Sequence, residues 1–92
     1  MTTICICYDL NRPGQDYSGL IEAIKGCGSC WHHLDSTWLV ITTSTAVQVR
    51  DVLRQHIDSG DELLVFPVGS NAAWQGFSEP ASAWLKNNWK PG

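Results

Sequence analysis

Cys30-Trp31-His32-His33-Leu34-Asp35-Ser36-Thr37-Trp38-Leu39-Val40-Ile41-Thr42 is the stretch whose reading decides the fold. Two runs rich in aromatic and β-branched residues flank Asp35-Ser36, a turn signal, so they read as the two strands of a hairpin. Working outward, each strand is joined to a helix. Upstream, Tyr17, Leu20, Ile21, Ile24 and Cys27 form the i, i+3, i+4 stripe of an amphipathic helix, with Asp16 as its cap and Gly26 and Gly28 at its end. Downstream, Thr45-Ala46-Val47-Gln48 has capping-box spacing and opens a helix with Ala46, Val49, Leu53 and Ile57 on one face, stopped by Gly60.

Beyond the helices lie two further strands. Thr2 to Tyr8 alternates Ile4, Ile6 and Tyr8 with Cys5 and Cys7, and Leu63 to Val68 is apolar throughout. Pro67 cannot donate to a ladder, which places that last strand at a sheet edge. The order β-α-β-β-α-β predicts an α+β, ferredoxin-like sandwich: a four-stranded antiparallel sheet with both helices on one face. The core spans about 1–69 of a single domain. A tail from about 70 to 92 follows, with a last helix opened by Ser78-Glu79-Pro80 and running to about Trp89. Both sheet faces are apolar, and two helices cover only one. The other face is expected to be buried by the tail or by a second copy, which predicts a homodimer with Trp74, Phe77, Trp84 or Trp89 helping to close it.

A chain of 92 residues suits one domain, and 43% hydrophobic against 16% charged residues excludes a disordered one. Six Lys and Arg against nine Asp and Glu leave a net charge of −3, without the basic patch that general nucleic-acid binding requires. Any such role would be local, metal-bridged or partner-dependent. The Met1-Thr2-Thr3 start lacks a basic region and its apolar run is too short for a signal peptide or membrane span, so the expected location is cytoplasmic. The four cysteines then read as reduced, buried thiols.

Cys27-Gly28-Ser29-Cys30 has CxxC spacing near His32 and His33. The two histidines are adjacent in a strand and point to opposite faces, so they do not serve one metal. The CxxC also follows a helix end, where the dipole does not activate a thiol. It reads as two small packed residues. The chain has no nucleophile at recognisable spacing from His32, His33 or His56, and no GxGxxG, P-loop or HExxH motif. The loop Asn71-Ala72-Ala73-Trp74-Gln75-Gly76-Phe77 offers aromatics that would either close a core or stack on a ring.

Asp9 is the strongest candidate for chemistry. It ends the first strand just before the breaker Asn11-Arg12-Pro13-Gly14, so a rigid element aims a carboxylate at a strand mouth. The competing reading is that Asp9 hydrogen-bonds the turn that follows it.

Tyr8-Asp9-Leu10 at a strand end, an Arg soon after and the Ser36-Thr37-Trp38 hairpin resemble the small CRISPR-associated adaptation protein and endoribonuclease family. Tyr-Asp-Leu-Asn-x-Pro-Gly, Trp-His-His-Leu-x-Ser-Thr-Trp and Ala-Ala-Trp-x-Gly-Phe look more specifically like the SinR-like bacterial proteins related to that family. The resemblance implies a ferredoxin-like homodimer. It also implies that Asp9 from each subunit helps hold a divalent metal at the interface, with Tyr8 beside it. Mg²⁺ or Mn²⁺ suits such an oxygen site. Leu34-Asp35 departs from the family's polar hairpin motif.

Two functions follow. The favoured one is a non-catalytic dimeric module acting as a regulator, adaptor or antitoxin-like partner through protein contacts. The alternative is a metal-dependent endonuclease or phosphodiesterase, with Asp9 on the metal and Arg12 steadying phosphate. Tyr8, Asn11 and Trp74 are the candidate binding residues.

Overall fold

The computed structural model describes residues 1–10 and 17–89. Its elements are β1 (Thr2–Asp9), α1 (Ser18–Gly26), β2 (Ser29–Leu34), β3 (Thr37–Thr42), α2 (Ala46–Leu53), β4 (Glu62–Pro67) and α3 (Glu79–Asn88). The sheet order is β2-β3-β1-β4 and every neighbouring pair is antiparallel. This is the ferredoxin-like arrangement with a third helix added. The hairpin turn, the capping box and the start of α3 after Ser78 lie where the residues place them. Thr45 Oγ1 accepts from the Gln48 N–H at 3.1 Å and Gln48 Oε1 from the Thr45 N–H at 2.8 Å. α2 is shorter than its apolar stripe suggests: it ends at Leu53 and tightens into a 3₁₀ turn over Arg54–His56.

β4 is an edge strand, as Pro67 requires. The Val68 N–H donates to the Thr3 carbonyl at 3.0 Å. Because amide directions alternate along a strand, the Pro67 nitrogen faces the open edge, where a missing N–H costs no ladder bond.

The helix face of the sheet is closed by aliphatic packing. Ile4 and Ile6 of β1 and Trp38 and Val40 of β3 meet Leu20 and Ile24 of α1 and Val49 and Leu53 of α2, all buried. Each such side chain contributes roughly 1.5–3 kcal/mol on burial. Gly28, between α1 and β2, is dictated by approach: a Cβ there would collide with the Ile41 carbonyl oxygen.

The opposite face is covered by the tail. Cys5, Trp31 and Leu39 are buried with Ala81 and Leu85 of α3, and Trp74, Phe77, Trp84 and Trp89 pack around them. Indole N–H groups pin the layer down: Trp31 donates to the Ala81 carbonyl at 3.2 Å and Trp89 to the Gly69 carbonyl at 2.8 Å. α3 lies toward β2, so the cover stops short of β4. Leu64 and Phe66, on the same face as Cys7 and Cys5, which they pair with, remain 59% and 39% exposed. Of the four cysteines, expected as buried thiols, Cys5 alone is fully buried and the others are partly buried at the core margins. No helix among the described residues is long and apolar enough to cross a membrane.

Candidate functional site

Asp9 is the last residue of β1, one position further along the strand than the apolar run reaches, and it is exposed. The antiparallel register sets it directly opposite Glu62, the first residue of β4. Directly opposed residues on antiparallel strands hold their Cβ atoms about 4.5–5.5 Å apart, and two carboxylates so placed repel unless a cation or hydrogen-bond donor lies between them. Among the described residues, Cys7, Tyr8, Asp9, Glu62, Leu63 and Leu64 line an open cleft of about 320 Å³ at this end of the sheet.

Tyr8 lines the cleft, but its phenol is engaged elsewhere. The hydroxyl accepts from Trp38 Nε1 at 3.0 Å and donates to the Asp35 carbonyl at 3.3 Å. The Asp35 carbonyl lies 3.0 Å from His32 Nε2, and the His32 ring stacks on Trp38 with centroids 3.7 Å apart. Tyr8 therefore ties the β2–β3 turn to the end of β1, next to the carboxylate pair. His33 points to the other face and meets Phe77 edge-on at 4.9 Å. The opposite pointing of the two histidines rules out a shared metal, as strand alternation predicts.

Trp74 is not part of this cleft. It is half-buried in the tail layer and its Nε1 donates to Ser82 Oγ at 3.1 Å. Asn11 and Arg12 lie outside the described residues. The structure thus brings Tyr8 and Asp9 to one cleft and leaves Trp74 in the tail layer.

Two residues of the cleft escape a reading by motif. Glu62 lies just before the apolar run of β4, and its signal is topological: antiparallel pairing of β1 with β4 brings the end of one strand to the start of the other. Cys7 shares a strand face with Cys5 and Asp9 through the two-residue period of a strand. Its Sγ lies 3.6 Å from Cys5 Sγ and accepts from Thr37 Oγ1 at 3.9 Å. Burial, and then the neighbouring Cys7, pushes the Cys5 thiol up to about 12. Cys27, whose thiol donates to the Ala23 carbonyl at 3.3 Å, is also pushed up by burial.

Oxygen donors from Asp9 and Glu62 match what Mg²⁺ or Mn²⁺ prefers. Among the described residues, no group of three or more His, Cys, Asp or Glu is placed to hold a metal ion. A cation at this cleft would take its remaining ligands from water or from a bound phosphate.

No protein-family model matches the chain. No curated protein matches it either. Among solved structures, it is similar to a hypothetical protein, TT1823, from Thermus thermophilus, with a TM-score of 0.64 and 19% identity over 83% of this chain and 92% of that one. At that identity the likeness establishes the fold alone.

Proposed function

We propose that the chain is a non-catalytic, dimeric adaptor or regulatory module whose second copy docks along β4. The observation that supports this reading is the incomplete cover of the tail face, which leaves Leu64 and Phe66 exposed on an edge strand. Natural edges are usually blunted by lysines, prolines or inward-pointing charges, and here Pro67 blunts only the far end of β4. The Leu63-Leu64-Val65-Phe66 run has none of these.

The strand is also self-complementary. By the alternation set by Val68, the Leu63 and Val65 amides face the open edge. Two antiparallel copies of β4 centred on Leu64 would exchange N–H···O bonds between Leu63 of each copy and Val65 of the other. The two Leu64 side chains then meet across the axis, and Pro67 is not asked for a donor. Such an interface is isologous and closed. Sedimentation of the wild type and of Leu64→Glu tests it. The expected result is a dimer that the substitution converts to a monomer with an unchanged circular dichroism spectrum. A monomeric wild type, or a dimer indifferent to Leu64→Glu, overturns it.

The opposed Asp9 and Glu62 carboxylates support a second reading, a metal-dependent phosphodiesterase. The pair would hold Mg²⁺ or Mn²⁺, and the metal would activate water and bridge to phosphate. RNA and DNA cleavage that requires added metal and is lost in Asp9→Ala and in Glu62→Gln is the expected result. Cleavage at the wild-type level in both variants excludes this reading.

A further inference from the structure

We propose that the β4-paired dimer carries one groove on its tail face, and that this groove takes a single basic amphipathic helix from another protein. The groove rests on the dimer reading above, and its occupant is the partner that such a module would serve. Two features carry the assignment: the pattern of side chains on the strip that α3 leaves uncovered, and the width of that strip in the dimer.

Three rows of side chains make up the strip. On the tail face, Asp9 stands opposite Glu62, Cys7 opposite Leu64 and Cys5 opposite Phe66. Pairing two β4 strands about Leu64 sets Glu62 opposite the partner's Phe66, and Leu64 opposite the partner's Leu64. The floor then crosses four strands, with Cys7, Leu64 and their two counterparts as its middle row. Each outer row holds one Asp9–Glu62 pair and one Phe66. The acid pairs therefore sit at opposite corners of an apolar floor. Within each copy, Cys7, Asp9, Glu62 and Leu64 already line one open cleft.

Width selects a helix, and only one. α3 packs through Ala81 and Leu85 on Trp31, Leu39 and Cys5, so it lies over β3, the middle strand of those three. From β3 of one copy to β3 of the other is five strand spacings, about 24 Å. Packed helices lie about 8–10 Å apart, according to the side chains between them. Trp84 and Trp89, five residues apart, stand on different flanks of α3, so either flank holds a neighbour at the wide end of that range. One added helix needs about 20 Å and fits; two need about 30 Å and do not.

Charge sets the sign of that helix. Across the dimer axis the two Glu62 positions lie about 14 Å apart and the two Asp9 positions about 20 Å apart, from the rise and spacing of strands. At about 1.5 Å per residue, those spans match basic residues roughly 9–13 positions apart on a helix. An ammonium or guanidinium at each corner supplies the cation that opposed carboxylates call for. The apolar stripe between them meets Leu64 and Phe66, as a helix laid into a groove does. A net charge of −3 on each chain favours the same partner.

The probe is a synthetic leucine and lysine helix long enough to reach both acid pairs, with a leucine and glutamate helix as its control. Fluorescence anisotropy gives affinity and stoichiometry, and sedimentation gives the oligomeric state of each protein. The expected result is one basic helix per two chains, with the acidic helix bound at least about tenfold more weakly. Phe66→Ser and the Asp9→Asn/Glu62→Gln double variant should each weaken binding by about tenfold. Cys7→Lys, one strand in from the dimer contact, should abolish binding while the protein stays dimeric. A wild type that sediments as a monomer removes the dimer reading and the groove with it. A dimer that leaves the basic helix unbound, takes two of them, binds both helices equally or binds as tightly after Cys7→Lys overturns the groove alone.

Discussion

The two faces of the sheet are closed by different means. The α1/α2 face is aliphatic and continuous, with Ile4, Ile6, Leu20, Ile24, Val40, Val49 and Leu53 almost wholly buried. The α3 face is closed by rings and indole hydrogen bonds around Trp31, and its cover ends before β4. Among the described residues, the sheet side chains of the first face are packed against the two helices. The second keeps a thiol pair, two opposed carboxylates and two exposed apolar side chains along its β1–β4 margin. Among the described residues, the features that suggest function gather where the tail layer runs out.

Removing one anchor from each face separates the two most strongly. Trp31→Ala should cost about 3–5 kcal/mol, and Leu53→Ala about 2–5 kcal/mol, by denaturant unfolding. Trp31 carries an additional burden, since its indole satisfies the Ala81 carbonyl of α3. A Trp31→Ala cost near zero would mean that the tail is a loose flap and that the face beneath it is available to a partner.

Alkaline pH separates the faces in a second way. The Cys5 thiol is pushed up from an ordinary 9.0 to about 12, so the folded chain holds a proton that the unfolded chain gives up. The unfolded state then binds fewer protons, and stability falls as pH rises. The contribution is fully present below about pH 9 and is lost as pH rises toward about 12. The stability of wild type relative to Cys5→Ala, followed by urea titration across that window, should decline steadily. A flat difference would place Cys5 in water and remove it from the tail-face core.

The capping box gives a smaller reference effect. Thr45→Ala, which leaves the Gln48 N–H without its cap, should cost about 1 kcal/mol. It should leave α3 and the cleft untouched, so near-ultraviolet circular dichroism of the tryptophans should not change.

The helix face was legible in the sequence because its signals are local. Capping at Thr45, the stripe of Leu20 and Ile24, the turn at Asp35-Ser36 and the edge position of Pro67 each rest on a few neighbouring residues. The apolar alternation of β1 also required a cover over the second face, and the tail supplies it over β2, β3 and part of β1. The margin was less legible. Asp9 stood out by its place at a strand end, but Glu62 becomes its opposite only through strand register, a property of the whole sheet. Trp74, expected to help close the second face and also a candidate binding residue, packs in the tail layer, where Ser82, eight residues on, takes its indole N–H. Such pairings depend on long-range packing, which residue spacing does not carry.

The smallest expected effect is also the one that tests the margin as a surface. Leu64 is 59% exposed, so Leu64→Ser removes little buried area and should change the stability of the isolated chain by no more than about 0.5 kcal/mol. Its effect should appear only with concentration. If two β4 strands pair across Leu64, the wild-type melting temperature rises with protein concentration while that of Leu64→Ser stays constant, because a contact made only in the dimer stabilises by mass action. Parallel concentration dependence in both proteins would show that Leu64 faces water in the assembled state, and the margin would then be a free edge rather than an interface.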